Sequence, residues 1–255
     1  MTKKYKREQK KYYFSTSIEV ERTYTGNYGG KGKKREKRKK PTEEQIAKQN
    51  QYNKEKKLRR ILKGNFKEDD YWALLTYLKG FRTSIKEAKE DFKKFIRILR
   101  REYRKRGYEL KWVVRTEVGR KGAAHHHFLA NRIPDGDILI KKCWKKVTGA
   151  GFPSFVPTYE DGGFAGLAHY LTKPPEGGET EHNSSRSRNL VIPEPEISRA
   201  LKKEMSEYPV PDEGYYIDED SVIMGVNPVT GQEYQHFIMY KIGKIAPVQP
   251  WKEGG

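Results

Sequence analysis

The chain predicts an α+β fold, an antiparallel sheet with helices on one face. Ile85, Ala88, Phe92, Phe95, Ile96, Leu99 and Tyr103 recur at helical spacing, the mark of an amphipathic helix of about six turns. Two strand-like runs follow, joined by a short turn, so the sheet is at least partly antiparallel. Residues 41–175 read helix, strand, helix, strand, strand, helix, strand, helix, which separates this chain from a repeating parallel βα pattern.

Residues 1–12 are basic and Tyr-bearing, and Phe14 to Tyr24 is a short β-like run with Ile18 and Val20 on one face. Gly26 to Lys40 is rich in Gly, Lys and Arg, a composition that suits a solvated arm able to order on a polyanion. Thr42 with Gln45 forms a capping box and starts a helix to about Lys63. Tyr71 to Tyr77 reads as a buried strand. Ser84 with Glu87 is a second capping box, opening the long helix, which Gly107 stops. Tyr108 to Val118 is a strand, Gly119 to Ala124 a turn, and residues 125–131 the returning strand. Ile138 to Val147 is a shorter helix, Phe152 to Tyr159 a strand, and Gly163 to Thr172 a helix halted by Pro174 and Pro175. Beyond about 195 the pattern weakens: Pro209 to Glu213 is a turn or linker, and Asn227 to Gly231 punctuates a final hairpin that ends in Tyr234 to Lys241. Three regions follow: a basic N-terminal arm with a short strand (1–40), a principal domain (41–195) and a C-terminal extension packed on it (196–255).

The 255 residues suffice for one sizeable domain with an appended piece. A formal charge of +19 points to a polyanionic partner, most simply nucleic acid. The excess is uneven: residues 1–60 hold 21 Lys or Arg against 7 Glu. Lys33, Lys34, Arg35, Lys37 and Arg38 crowd the end of the arm and are candidates for phosphate contacts. The single cysteine, Cys143, excludes an internal disulfide framework and any thiolate zinc cluster, in keeping with a reducing cytoplasm. No apolar run approaches membrane-spanning length, and the N-terminus does not read as a secretory signal. The phosphate loop GxxxxGK[ST] is absent, so the chain carries no ATP-driven motor of that kind.

Two constellations carry chemistry. His125, His126 and His127 sit at the start of the returning strand, shortly after Glu117. Strand alternation puts His125 and His127 on one face and His126 on the other. Two imidazoles with a carboxylate on the neighbouring strand make a three-ligand site for a hard divalent ion, with positions left open. A consecutive histidine run at the surface is the alternative. The second constellation is Tyr170 and Lys173, which share a face if the segment is helical. A phenol is a poor nucleophile at its ordinary pKa of about 10, and an ammonium beside it favours the phenolate. A core tyrosine is the plainer reading.

Taken together these motifs resemble those of the HUH endonucleases, and most closely the rolling-circle replication initiator proteins of Gram-positive bacteria, their plasmids and phages. The resemblance runs over about residues 41–192. It rests on Asn65-Phe66 with Asp70, Leu75-Thr76-Tyr77, Glu117 before His125 to His127, Tyr170 lying 43 residues beyond His127, and Ser187-Arg188-Asn189-Leu190. It implies a ferredoxin- or RRM-like sheet of the single-tyrosine type, with His125, His127 and Glu117 binding Mg²⁺ or Mn²⁺. Tyr170 would attack a DNA phosphate to leave a 5′-phosphotyrosine and a free 3′-OH, assisted by Lys173. Arg115, Arg186 and Arg188 join the arm as candidate DNA contacts, and Asn131 is a weaker site candidate. The implied partners are single-stranded DNA at a replication origin and a host helicase and polymerase, in a bacterial cytoplasm. One departure is His126, which stands where the family carries a bulky hydrophobic residue. Alternation makes it core-facing or hydrogen-bonded, whereas a one-residue slip would put it in the site.

Tyr71, Trp72 and Tyr77 could stack unpaired bases or simply pack in the core. Two other functions compete. A transposase or conjugative relaxase would share the chemistry, but relaxases place the tyrosine before the histidines. A non-catalytic basic DNA-binding protein would explain the charge and leave the Glu, His and Tyr order as coincidence.

Overall fold

The computed structural model describes residues 6–25, 42–81, 83–119, 122–157, 164–174, 184–226 and 232–244. The cationic run Lys33, Lys34, Arg35, Lys37 and Arg38 lies outside them, as do residues 227–231. In chain order the elements are strands β1 (Arg7–Tyr13) and β2 (Ser17–Tyr24), helix α1 (Glu43–Asn65), β3 (Tyr71–Thr76), α2 (Ile85–Lys105), β4 (Trp112–Val118) and β5 (Ala124–Ala130). They continue with α3 (Gly136–Thr148), β6 (Phe152–Pro157), α4 (Ala165–Thr172), β7 (Ser184–Arg186), β8 (Glu196–Arg199), α5 (Lys202–Ser206), β9 (Tyr215–Val226) and β10 (Glu233–Lys241). The class is α+β, with two antiparallel five-stranded sheets. Both predicted capping boxes form. Gln45 N donates to Thr42 Oγ1 at 3.2 Å and Thr42 N to Gln45 at 3.0 Å, and Ser84 N donates to Glu87 at 3.0 Å. None of the described helices is long and apolar enough to cross a membrane. The chain divides into two compact units, residues 1–57 with 192–255, and residues 58–191.

In the first unit the strand order is β8-β1-β2-β10-β9, so the two ends of the chain share one sheet. Ile18 and Val20 pack with Phe237 and Met239 in its apolar cluster. β1, which reads from sequence as part of a basic arm, is an inner strand between β2 and β8. Its charged residues conceal this, because strand pairing is made by the backbone and each polar side chain finds a partner outside its own neighbourhood. Lys11 pairs with Asp212 at 2.5 Å, and Gln9 accepts from the buried Arg22 at 2.7 Å. Arg22 also donates to Gln235 at 2.7 Å, so its charge is held by hydrogen bonds within the sheet.

The second unit is built on the order β6-β3-β5-β4-β7. Tyr71, Ala73, Leu75, Trp112, Val114, Phe128 and Ala130 point to one face, where Phe92, Phe95, Ile96 and Leu99 of α2 and Leu139, Ile140 and Trp144 of α3 close the main core. The other face is covered as well. Val113 and Leu129 pack with Leu58, Ile61 and Leu62 from the end of α1 and with Ala168 and Leu171 of α4. Helices therefore occupy both faces, broader than the expected one. The reason lies in the strands: Trp72, Val113 and Leu129 are apolar on the second face too, and leaving them wet would forfeit roughly 1.5–3 kcal/mol for each large side chain.

The β4–β5 hairpin turns through Gly119, whose N–H bonds to Ala123 O at 2.9 Å, and Gly122, which takes the left-handed φ of 73°. β4 begins at Trp112, later than the expected Tyr108, because Asn131 ties the approach down: its Oδ1 accepts from Lys111 N at 2.8 Å and its Nδ2 donates to Glu109 O at 3.1 Å. Asn131 is thus a loop clamp. His126 faces the main core and is 0% exposed. Thr116 Oγ1 lies 2.9 Å from its Nδ1, and Phe92, Trp144 and Tyr77 surround the ring. Burial, with the neighbouring His125 and His127 adding to it, pushes the His126 pKa from 6.5 down to about 3.

That burial has a pH signature. Between these two values the unfolded chain takes up a proton that the folded chain refuses, so stability falls as pH drops below 6.5. Replacing the pair by His126→Leu with Thr116→Val removes the penalty. In urea unfolding, the variant's stability relative to the natural chain should rise by roughly 1.4 kcal/mol per pH unit below the ordinary histidine value. A gap that stays flat from about pH 7 to about pH 5 would show that His126 is not held neutral.

Candidate metal and tyrosine site

The site is assembled by the register of three strands. Pairing of β4 with β5 sets Glu117 opposite His125 and Arg115 opposite His127, and pairing of β3 with β5 sets Leu74 opposite His127. Glu117, His125 and His127 therefore share the face that α4 covers. Glu117 Oε2 lies 3.4 Å from His127 Nε2 and 3.8 Å from His125 Nε2. One donor atom from each of the three residues falls within 4.8 Å of the others. Two imidazole nitrogens and one carboxylate oxygen, partly exposed and on one side, are a fitting donor set for a divalent cation with open coordination positions.

α4 delivers the tyrosine. Ala168 and Leu171 are buried against the sheet, which fixes the helix and turns Tyr170 toward the histidines. The Tyr170 hydroxyl donates to Glu117 Oε2 at 2.8 Å and sits 2.5 Å from His127 Nε2, accepting from that nitrogen when it carries the proton. Trp72, for which base stacking and core packing are both open from sequence, lies on the same face with its ring 5.7 Å from His127 in a stacked arrangement. Tyr71 is instead in the main core, its hydroxyl bonded to Ile133 O at 2.9 Å. Tyr77 packs against that same core, edge-on to Trp144.

Lys173 lies just past α4, where the backbone turns extended (φ −52°, ψ 145°). Its Nζ stands 5.0 Å from the centre of the Tyr170 ring, so the pair meets although only one of the two is helical. Arg115, which reads from sequence as a DNA contact, is buried and bridges two parts of the site. Its Nε donates to Glu117 Oε1 at 2.5 Å and its Nη1 to Lys173 O at 2.6 Å, linking the sheet to the end of α4. Strand alternation places Arg115 on the histidine face, yet nothing local could name its second partner, 58 residues on. Arg186 and Arg188 lie elsewhere in this unit, at and beyond the edge strand β7, and both are exposed.

The Glu117 carboxyl is held well below the usual carboxylate range. Hydrogen bonds from His125 and His127 are the main cause, with Tyr170 and Arg115 adding to them against the cost of burial. The site therefore presents an anionic ligand at every ordinary pH.

Residues 70–175 match the model of a family described as replication-associated protein ORF2. The matched stretch is less than half of the chain and contains Glu117, His125, His127, Tyr170 and Lys173. No curated protein and no solved structure matches the chain. The chain is thus similar, over the sheet that carries this site, to a replication-associated family.

The donor set makes a direct prediction. Calorimetric titration with Mn²⁺ should show one ion bound, and Glu117→Gln should weaken it by more than the ~10–100-fold that loss of a merely supporting partner costs. Equal affinity in the variant would remove Glu117 from the ligand set.

Proposed function

We propose that the protein is an HUH-type tyrosine endonuclease that initiates rolling-circle replication, nicking and rejoining single-stranded DNA at an origin. The observation that carries this reading is the Tyr170 hydroxyl lying among Glu117, His125 and His127, a nucleophile placed beside a set of cation ligands. The similarity of residues 70–175 to a replication-associated family supports the same reading.

His125, His127 and Glu117 would hold Mg²⁺ or Mn²⁺, which when bound polarises the scissile phosphate and offsets the charge that develops on it. Tyr170, carried on a helix packed to the sheet, is oriented for in-line attack on phosphorus. Its oxygen forms the new P–O bond as the bond to the 3′-oxygen breaks, leaving a 5′-phosphotyrosine and a free 3′-OH. The phenol loses a proton and the 3′-oxygen gains one, so the phosphodiester's bond energy and charge are conserved for later resealing. Lys173 stabilises negative charge on the attacking oxygen, and Arg115 fixes the Glu117 carboxylate while tying β4 to the end of α4. Trp72, half-buried beside His127, offers a face to an unpaired base. The substrate is single-stranded or locally unwound, because the tyrosine must reach the phosphate in line. A host helicase would continue unwinding and a polymerase would extend the 3′-OH, in the bacterial cytoplasm.

The test is an SDS gel of the full chain with a labelled, randomised single-stranded DNA library, with Mn²⁺ or with EDTA. An SDS-resistant adduct should form only with the ion, vanish in Tyr170→Phe and fall by about 10²-fold or more in His127→Ala. An adduct that persists in Tyr170→Phe would assign the nucleophile elsewhere. Tight metal-independent DNA binding with no adduct at all would support a non-catalytic binder instead.

A further inference from the structure

The sheet's other face carries a second charged feature. Along α2, Lys89, Lys93, Arg97, Arg100 and Arg104 follow one another at steps of three or four residues, so they lie on one side of the helix. The row spans roughly 22 Å at the helical rise. It borders two adjoining cavities of about 420 and 520 Å³ that share Arg100 and Trp112. The opposite wall is the sheet edge: Arg186 on β7, which pairs with Val113 of β4, and Arg188 just beyond it. The groove thus has cations on both walls.

Those cations are uncommitted. Among the described residues, the guanidinium groups of Arg97, Arg100, Arg104, Arg186 and Arg188 make no hydrogen bond or ion pair. The acids of α2 are paired with other cations: Glu90 with Lys93, Asp91 with Lys94, and Glu102 with Lys105 and Arg106. The one carboxylate lining the groove, Glu109, accepts from Asn189 at 3.5 Å. Five guanidinium groups collected in one groove repel one another unless an anion lies between them. Arginine rather than lysine at all five positions suits phosphate, which it grips with two hydrogen bonds. The aromatic side chains of the groove, Phe92 and Trp112, are buried in its floor, so it offers no surface for stacking bases.

We propose that this groove binds the phosphodiester backbone of DNA flanking the strand engaged by Tyr170, independently of sequence. It takes from the proposed function only that the polyanion is DNA. Because α2 covers the face opposite His125 and His127, the strand in the groove is a different segment from the one at the tyrosine, and it reaches that face around the β7 edge.

The test compares the full chain with Arg100→Gln/Arg104→Gln/Arg186→Gln and with a control of equal charge loss on the acid-paired side of α2, Lys94→Gln/Arg101→Gln/Lys105→Gln. Fluorescence anisotropy would follow an oligonucleotide limited to the captured nick site and longer ones with single-stranded or duplex flanks, over a salt series, with melting midpoints as the folding check. The groove variant should bind flanked DNA at least ~10-fold more weakly and lower the slope of log K against log salt by about 2–3, while the short oligonucleotide is bound as before. Which flank responds assigns the backbone to a single strand or a duplex. An unchanged slope with both flanks, or an equal loss in the control variant, would overturn the proposal. Should the chain form no covalent adduct, random-sequence DNA serves in the same measurement, so failure of the nuclease reading is seen separately.

Discussion

The antiparallel register of β4 against β5 is the constraint that holds the site together. It sets Glu117 against His125 and Thr116 against His126, and it divides three consecutive histidines between two environments. Because strand side chains alternate, a slip of one residue would carry His125 and His127 into the main core and expose His126 to the ligand face. Three things resist that slip. Phe128 and Ala130 share the parity of His126 and are fully buried, Thr116 bonds the buried ring, and Gly122 fixes the turn that starts the pairing. An imidazole in an aromatic core is destabilising in itself. Its Nε2 has no hydrogen-bond partner among the described residues, and its proton affinity is depressed accordingly.

The second constraint is electrostatic and joins elements distant in sequence. Glu117 accepts from Arg115 on its own strand and from Tyr170 on α4, while Arg115 reaches the Lys173 carbonyl at the end of that helix. Charge-assisted bonds of this kind are shorter and stronger than neutral ones, particularly where solvent is partly excluded. The effect is to set the height of α4 above the sheet with polar contacts, where apolar packing by Ala168 and Leu171 alone would allow the helix to slide. Positioning of a reactive group to within a fraction of an ångström requires this sort of directional restraint.

The two faces of the five-stranded sheet are chemically unlike. One carries a carboxylate, two imidazoles and a phenol within hydrogen-bonding reach of one another, a compact and largely self-satisfied cluster. The other is a hydrophobic core roofed by α2, whose outer margin bears cations without partners. Clustering acids and bases builds a ligand set; separating cations from acids leaves a field. The chain's +19 charge is thus organised on this unit as well as in the arm.

Features that depend on local period could be read from the order of residues alone. The capping boxes and stripe of α2, the hairpin, and the division of His125 and His127 from His126 were all legible, because helix and strand alternation are properties of neighbouring residues. Which helix covers the histidine face was not legible, since α4 is held there by Val113, Leu129 and the end of α1, remote in the chain. Nor was β1 recognisable as an inner strand, because the partners of Lys11 and Gln9 lie elsewhere in the sheet and its charged residues read as a solvated tail. Arg115 reads as a surface residue for the same reason: a guanidinium looks free until the carboxylate and carbonyl that enclose it are folded around it. Such cases are settled by long-range contacts, because burying a charge becomes favourable only when its partners arrive together.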